Sequence, residues 1–461
     1  MVRQESAALF RFVDSIVRRC AEIHEYPVYA ETSKTFLNHI SILGTETKNF
    51  LEKFPESVEK DKRTANSKRR KLHSLRISWE ALHEYLKPAL DADTLHIPSP
   101  LILALQDEIN QVKEAGMLKF TVFHSDRVNY LQLPPGTIKE TADLIAQLIS
   151  GTPFPTDLGL VGMPYSQSNG FFLNCLLVHE MAHVVYQNVY GVDVSTQKDR
   201  ILEALEKEVG VLQGRDATIA RDTLEHWIEE LFCDLLSICL IGPAYSFALI
   251  ELTGATLLVD SPATTLDPFH SFMEYHPAEI ARFHAHLMLL KKLGWWGEIE
   301  KMSTCYVDVL KISEAKSSDL RIETEIPDDV GDERFLKCFW EMCAWLIDFV
   351  TAERPISSTL LADYRKQSAV IARYLQEAIV PSSIVIDGKR EHPTPVILIN
   401  AAFSFYLESI PDLIRNVDKQ DASSVEARSR FAERLELWAL KAIEDCRLLE
   451  GESEYGRRSQ V

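Results

Sequence analysis

Glycine and proline are scarce in this chain, with 18 and 20 residues respectively among 461. This scarcity excludes collagen-like and proline-rich repetitive proteins. Hydrophobic residues make up 46% of the sequence and charged residues 25%, which is typical of globular proteins and excludes disorder as the general state. The length suggests roughly two to four domains, or one large domain with extensions.

Positive charge is also in short supply, because 49 lysines and arginines stand against 68 aspartates and glutamates, a net charge of −19. Binding to nucleic acid or to anionic membranes requires clustered basic side chains, so the composition argues against both kinds of partner. The one basic run, from Lys60 to Arg76, lacks interleaved aromatic residues. We interpret this run as a solvated loop and helix face, with nucleic acid or an acidic partner as the alternative.

A long apolar segment and a cysteine framework are both missing. The most apolar run, Leu235 to Ile250, has about 16 residues and is interrupted by Gly242 and Pro243, whereas a membrane span needs about 20. We therefore predict a buried helix here and no membrane span. None of the 8 cysteines has CxxC spacing and the N-terminus lacks an apolar signal segment, which predicts free thiols and a cytoplasmic location.

Helical spacing of apolar residues is what the sequence has in abundance, for example throughout residues 6–116. Residues that favour β-structure interrupt this pattern at 119–124 and 128–133, and the short polar segment between these two stretches predicts a β-hairpin. A helix is predicted for 137–149 and a third strand for 158–163. The sequence therefore predicts a mainly α protein with a small β-sheet.

A possible metal site begins with an HExxH motif, formed by His179, Glu180 and His183 in an apolar segment of helical character. Residues four apart lie on one face of a helix, so both histidines can bind one ion. Glu180 is rotated by about 100° from His179 and can reach a water at that ion. Two imidazoles suit zinc. The alternative is a buried helix whose two histidines find hydrogen-bond partners within the protein.

A third ligand is needed, because catalytic zinc sites have three protein ligands and one open position. The metzincin extension fails, since Tyr186 and Val189 stand where it requires glycine and histidine. Farther along the chain, Glu230 and Asp234 lie four apart in an apolar helical segment, where two carboxylates are costly unless they meet a cation. We predict Glu230 as the third ligand and Asp234 as the acceptor for the second ring N–H of His179.

Several other residues near these motifs have a competing interpretation. The alternative for the carboxylates near 230 is that they lie at the solvated N-terminal end of their helix, where negative charge is favoured. This alternative accounts well for the charge of Glu229 but poorly for that of Asp234. His226 is an alternative to Glu230 as ligand, although no aspartate follows it at the right spacing. We interpret Tyr245 as a core residue, with donation to an oxyanion as the alternative. Three further histidines are expected not to be ligands: His270, His284 and His286.

These residues resemble the gluzincin group of zinc metallopeptidases, whose members carry HExxH followed by ExxxD on a second helix. The positions that match are His179, Glu180, His183, Glu230 and Asp234. A further element, from His276 and Pro277 to Arg282, is similar to the HPxxxxR element of relatives of the CAAX-processing peptidases. The resemblance extends over about residues 118–290. It implies that His276 holds the developing oxyanion in catalysis and that Arg282 orients active-site carboxylates.

The resemblance also implies an architecture. We expect a zincin-like α+β core over 118–300, flanked by an N-terminal helical region, 1–117, and a C-terminal helical region, 301–461. In zincin-like folds one edge strand of the small sheet lies along the cleft, where an extended peptide can pair with it.

The function implied is a zinc metallopeptidase with Zn²⁺ as cofactor and a peptide or protein as substrate. Glu180 would be the general base of the hydrolysis. The alternative is a non-catalytic helical scaffold or sensor that retains a structural or vestigial zinc site. A ferritin-like di-iron protein is a third possibility, because Glu80 and His83 repeat the ExxH spacing of Glu180 and His183.

Overall fold

The computed structural model confirms a mainly α protein with small β-sheets. It describes residues 2–24, 31–53, 62–91, 98–113, 120–125, 131–133, 135–155, 159–164, 170–209, 214–253, 265–266, 276–302, 304–322, 333–354, 360–417 and 424–458. The chain divides into two compact units. The first comprises Met1–Ile97 and Met117–Ser168, and the second Pro98–Gly116 and Asn169–Val461.

The helices and strands are as follows. The helices are α1 (Val2–His24), α2 (Glu31–Glu52), α3 (Lys62–Asp91), α4 (Ser99–Ile109), α5 (Pro135–Ile149), α6 (Leu177–Val185), α7 (Gly191–Val209), α8 (Gly214–Ile241), α9 (Pro243–Thr253), α10 (Glu279–Lys292), α11 (Trp296–Ile299), α12 (Cys305–Lys316), α13 (Glu333–Glu353), α14 (Leu360–Gln376), α15 (Pro395–Val417) and α16 (Ser424–Arg458). The strands are β1 (Phe120–Ser125), β2 (Leu131–Leu133), β3 (Gly159–Pro164), β4 (Thr265–Leu266), β5 (Arg321–Ile322), β6 (Ile384–Ile386) and β7 (Lys389–Glu391).

The first unit is built around the apolar faces of α1, α2, α3 and α5. Trp79 of α3 is fully buried in this core, and its indole N–H donates to the hydroxyl of Thr47 on α2 at 3.2 Å. Leu160 of β3 packs into the same core. These contacts join the strands to the N-terminal helices, because packing them together buries apolar surface that each element alone would expose to water.

The hairpin predicted for 119–124 and 128–133 is wrong. Both strands form, as β1 and β2, but β3 lies between them, parallel to β1 and antiparallel to β2. All six residues of β3 are buried. A strand buried in this way is suited to the centre of a sheet, where it has partners on both edges. The helix predicted for 137–149 is present as α5, between β2 and β3.

The three strands β1 to β3 are grouped with other helices than the prediction expected. In the structure the strands β1 to β3 belong to the unit of the N-terminal helices, whereas the prediction placed them with the HExxH helix in 118–300. The three predicted regions, 1–117, 118–300 and 301–461, and the zincin-like character of the core stay predictions. So does the placement of an edge strand along the active-site cleft.

The second unit contains the two helices that carry the motifs, α6 and α8, which pack against each other. A 3₁₀ turn, Leu173–Leu176, precedes α6, and a π-helical turn, Tyr186–Tyr190, follows it. The apolar run Leu235 to Ile250 is buried as predicted, but it is divided at Gly242 into the end of α8 and the start of α9.

The described residues contain neither a membrane-spanning helix nor a disulfide. None of the helices there combines the length and the apolar character that crossing a bilayer requires. The 8 cysteines all lie in described segments, and each is a free thiol.

Candidate metal centre

Two helices bring three side chains to one point. His179 and His183 lie one turn apart on α6, and their Nε2 atoms are 3.1 Å from each other. Glu230 on α8 faces both rings, with Oε2 3.2 Å from Nε2 of His179 and Oε1 3.4 Å from Nε2 of His183. Among the described residues, these three form the one group with donor atoms close enough to hold an ion.

The geometry of this group fits zinc. An ion about 2.0–2.1 Å from each of three tetrahedral ligands would place those ligands about 3.3–3.4 Å apart. The two Nε2 atoms, 3.1 Å apart, and Nε2 of His179 with Oε2 of Glu230, 3.2 Å apart, lie close to that value, while the second oxygen of Glu230, Oε1, is 3.4 Å from Nε2 of His183. In addition, Oε2 of Glu230 is buried, and its nearest polar neighbour is Nε2 of His179, a member of the same group, at 3.2 Å. A buried carboxylate is costly unless positive charge lies beside it, so the donor set is suited to a cation.

The other ring nitrogen of each histidine lies against a carboxylate on α8. Nδ1 of His179 is 3.0 Å from Oδ1 of Asp234, the approach predicted from the sequence. Nδ1 of His183 is 2.9 Å from Oε1 of Glu229. A carboxylate at Nδ1 places the proton of a neutral imidazole there. Both Nε2 lone pairs then face each other, and a shared cation stabilises this arrangement.

The charges around the centre shift the pKa values of its members. Burial alone would lower the pKa of His179, but hydrogen bonds with Asp234 and Glu230 raise it to about 10. Burial opposes ionisation of Glu230, yet the two histidines hold its pKa below the usual range. The carboxylate is therefore charged, and a metal ion must displace a proton from His179 in order to bind there.

Asp234 is the centre of a buried polar network. It is 0% exposed, and Arg282 of α10 donates to it from Nε and Nη2, each at 2.8 Å. Burial opposes its ionisation, but Arg282 and His179 hold the pKa of Asp234 well below its usual range. Nε2 of His286 lies 3.2 Å away, and the hydroxyl of Tyr245 donates to Oδ1. The negative charge of Asp234 is thus balanced within the protein.

Arg282 also lies near the carboxylate of Glu230, the predicted third ligand, with Nη2 3.7 Å from Oε2. His276 lies at the same oxygen, with its Nε2 3.7 Å away, and its side chain is 54% exposed. Partial burial of the ring, in spite of this exposure, and the nearby guanidinium of Arg282 lower the pKa of His276 to about 4. Its ring is therefore neutral at physiological pH and has one N–H to donate.

Glu180 follows the first histidine on α6 and is half-buried. Burial raises the pKa of its carboxyl, and the positive charge of the neighbouring histidines acts against that rise. A carboxyl with a raised pKa is better matched to proton transfer near neutral pH.

Three residues have contacts that the sequence analysis did not assign. Glu229 was interpreted as part of a solvated helix end, but it is only 17% exposed and lies against His183. Tyr245 is buried as predicted, and its hydroxyl is 2.9 Å from Nδ1 of His179. His286 contacts Asp234. The signal in the sequence that could have pointed to Glu229 was its position directly before Glu230, the predicted third ligand.

Other candidates lie away from the centre. His226 is exposed, and its Nδ1 is 2.6 Å from the carbonyl oxygen of Asp222, one turn earlier on α8. His284 packs edge-on against Trp340. His270 lies outside the described residues.

Glu80 and His83, which raised the di-iron possibility, lie on α3 in the first unit. Glu80 accepts from Arg76 at 2.7 Å, and His83 packs edge-on against Phe12. Within the described residues, neither belongs to the candidate metal group.

Comparison of the chain with protein-family models, with curated proteins and with solved structures finds no match. The resemblance to gluzincins therefore rests on the motif residues themselves.

Proposed function

We propose that this protein is a zinc-dependent peptidase in which His179, His183 and Glu230 hold the metal. The observation that carries the proposal is the convergence of two Nε2 atoms, 3.1 Å apart, on the carboxylate of Glu230, whose Oε2 lies 3.2 Å from His179 and whose Oε1 lies 3.4 Å from His183. When bound, zinc lowers the pKa of water towards neutrality and polarises the carbonyl group of a peptide bond. A glutamate beside the first histidine is not required for structural zinc, so Glu180 favours a catalytic role.

In this proposal, Glu180 is the general base. It accepts a proton from the attacking water and then delivers that proton to the leaving amine. Burial, which raises the pKa of its carboxyl, brings the group closer to the range in which both transfers are efficient.

In this proposal, His276 stabilises the negative charge that forms during the reaction, and Arg282 holds the buried carboxylates in place. His276 is neutral and exposed beside Glu230, and its ring N–H donates to the oxyanion that forms from the peptide carbonyl. Arg282 holds Asp234 by two hydrogen bonds, and its Nη2 lies 3.7 Å from Oε2 of Glu230. We propose a peptide or protein as substrate. The free cysteines fit a reducing compartment, and we extend the proposal to the cytoplasm.

The test is to profile cleavage of a mixed peptide library by mass spectrometry, with the wild-type protein and with Glu180→Gln. The amide is nearly isosteric but cannot accept the proton, so turnover should fall by about 10²–10⁴-fold while zinc content stays the same. Glu206→Gln, a half-buried glutamate on α7, is the matched control and should cleave like wild type. Turnover of Glu180→Gln within about threefold of wild type would place the chemistry elsewhere. A wild-type protein that binds zinc but cleaves nothing would favour the scaffold alternative.

A further inference from the structure

A buried asparagine from the C-terminal part of the chain bridges the break between α8 and α9. Asn400 of α15 is 1% exposed, and its side-chain oxygen accepts from the backbone N–H of Ala244 at 3.0 Å. Its amide nitrogen donates to the backbone oxygens of Ile241 and Val396, each at 2.8 Å. One side chain thus satisfies the last carbonyl of α8 and an early N–H of α9, two groups that a helix leaves without internal partners.

The backbone at the break allows this close approach. Gly242 has a φ of +70°, which glycine adopts readily and other residues adopt at a cost. A Cβ atom at Gly242 would lie 3.1 Å from the side-chain nitrogen of Asn400 and 3.2 Å from its oxygen. The turn and the asparagine are therefore fitted to each other, and the angle between α8 and α9 depends on both.

Both helices joined at this break contribute to the metal centre. Helix α8 carries Glu230 and Asp234, and α9 carries Tyr245, three residues beyond Gly242. The Tyr245 hydroxyl contacts Asp234 and Nδ1 of His179, and its ring is nearly parallel to the histidine ring at a tilt of 6°. A change in the angle between α8 and α9 moves this hydroxyl relative to the ligand histidine.

We propose that Asn400 is a positioning residue for the metal centre: it fixes the α8–α9 turn and thereby holds the Tyr245 hydroxyl against Asp234 and His179. This inference rests on the proposed function, because it assumes that His179 is a metal ligand. Nothing in the motif region of the sequence points to Asn400, which lies 170 residues beyond Glu230.

The experiment measures Co²⁺ binding to the full-length, metal-free protein, followed by the visible absorption of the bound ion. Asn400→Ala should weaken Co²⁺ affinity by about 10-fold and alter the spectrum, as expected when a group that orients a ligand is lost. Tyr245→Phe removes only the hydroxyl and should have an effect of similar size. If Asn400 acts through Tyr245, the double variant should bind Co²⁺ no more weakly than Tyr245→Phe alone.

Two further variants separate positioning from stability. Gly242→Ala disturbs the same turn from the other side and should also weaken Co²⁺ binding, so it carries the test if Asn400→Ala does not fold. Gln367→Ala is the matched control, because Gln367 is another buried amide in the C-terminal part, 6% exposed on α14. It should lower the unfolding temperature without changing the affinity for Co²⁺ or the spectrum.

Wild-type affinity and spectrum in both Asn400→Ala and Gly242→Ala would overturn the inference. It would also be overturned if the losses from Asn400→Ala and Tyr245→Phe multiplied in the double variant, because Asn400 would then act independently of Tyr245. Failure of the wild-type protein to bind Co²⁺ is a different result: it would overturn the proposed function and this inference together.

Discussion

At the scale of single residues, the two histidines of the candidate metal group differ in which carboxylate orients them. His179 lies against Asp234, which is 0% exposed and bonded to Arg282, whereas His183 lies against Glu229, which is 17% exposed. Both carboxylates orient a ring through Nδ1. Only Asp234 is also part of a buried ion pair, so the two should respond differently to neutral substitutions.

Glu229→Gln should weaken zinc binding by about 10-fold, because the amide oxygen still accepts from Nδ1 of His183 but without the charge that strengthens the bond. The free energy of unfolding of the metal-free protein should change little, since Glu229 is partly solvated. Zinc affinity is measured by competition with a chelator. The control is Asp222→Asn, because Asp222 is an exposed carboxylate two turns before Glu229 on α8. Unchanged zinc affinity in Glu229→Gln would show that the contact with His183 does not support the metal.

Asp234→Asn should reduce both zinc affinity and stability. Loss of the carboxylate leaves the guanidinium of Arg282 buried without its counter-charge, and breaking a buried ion pair costs about 3–5 kcal/mol. Urea unfolding of the metal-free protein gives the free energy of unfolding, and the loss should be clearly larger than for Glu229→Gln. An equal and small loss in the two variants would contradict the buried network around Asp234.

At the scale of helices, close packing in the first unit gives a prediction independent of the metal. Gly44 lies within α2, and a Cβ atom there would overlap Cγ2 of Val17 on α1. Alanine usually stabilises a helix relative to glycine by about 0.5–1 kcal/mol. Here the stiff, branched side chain of Val17 cannot turn away, so Gly44→Ala should destabilise the protein by about 1–3 kcal/mol.

Thermal unfolding checks this prediction, and the double variant Gly44→Ala/Val17→Ala should recover part of the loss by removing the overlap. Gly297→Ala is the control, because no atom lies within 4 Å of a Cβ placed there and the residue is helical. It should be neutral or slightly stabilising. A stabilising effect of Gly44→Ala would mean that α1 and α2 do not approach as described.

The strands show what sequence patterns could and could not predict about the fold. The strands predicted for 119–124, 128–133 and 158–163 all form within the described residues, and β1 and β3 each continue one residue beyond the predicted end. Their pairing was predicted wrongly, because β-forming composition is a local property whereas the choice of partner depends on distant segments. The burial of all of β3, which favours a central position, becomes visible only in the folded chain.

The metal centre shows the same division between local and distant information. HExxH and ExxxD are each a spacing within a single helix, so the sequence alone predicted the candidate group of His179, His183 and Glu230 that the structure brings together. Glu229 was missed as a partner of His183 because that contact depends on how two helices cross. Asn400 is farther still from any local pattern, since it meets Ala244 only through the packing of α15.

At the scale of the whole molecule, the centre draws on most of the second unit. Helix α10 provides Arg282, and α15 provides Asn400. The carboxylate of Glu436 on α16 accepts from the backbone N–H of Phe172, just before the turn that leads into α6, at 3.4 Å. The C-terminal helices thus belong to the same compact unit as the HExxH helix. In a chain of net charge −19, a dication at this cluster of carboxylates also relieves repulsion.

The most direct measurement of the central claim is X-ray absorption at the zinc edge, on purified full-length protein with its metal content determined. The account predicts about one zinc per chain, with two imidazole nitrogens at about 2.0–2.1 Å and oxygen in the remaining positions. A sulfur ligand at about 2.3 Å, or a ligand shell without imidazole, would contradict binding by His179, His183 and Glu230.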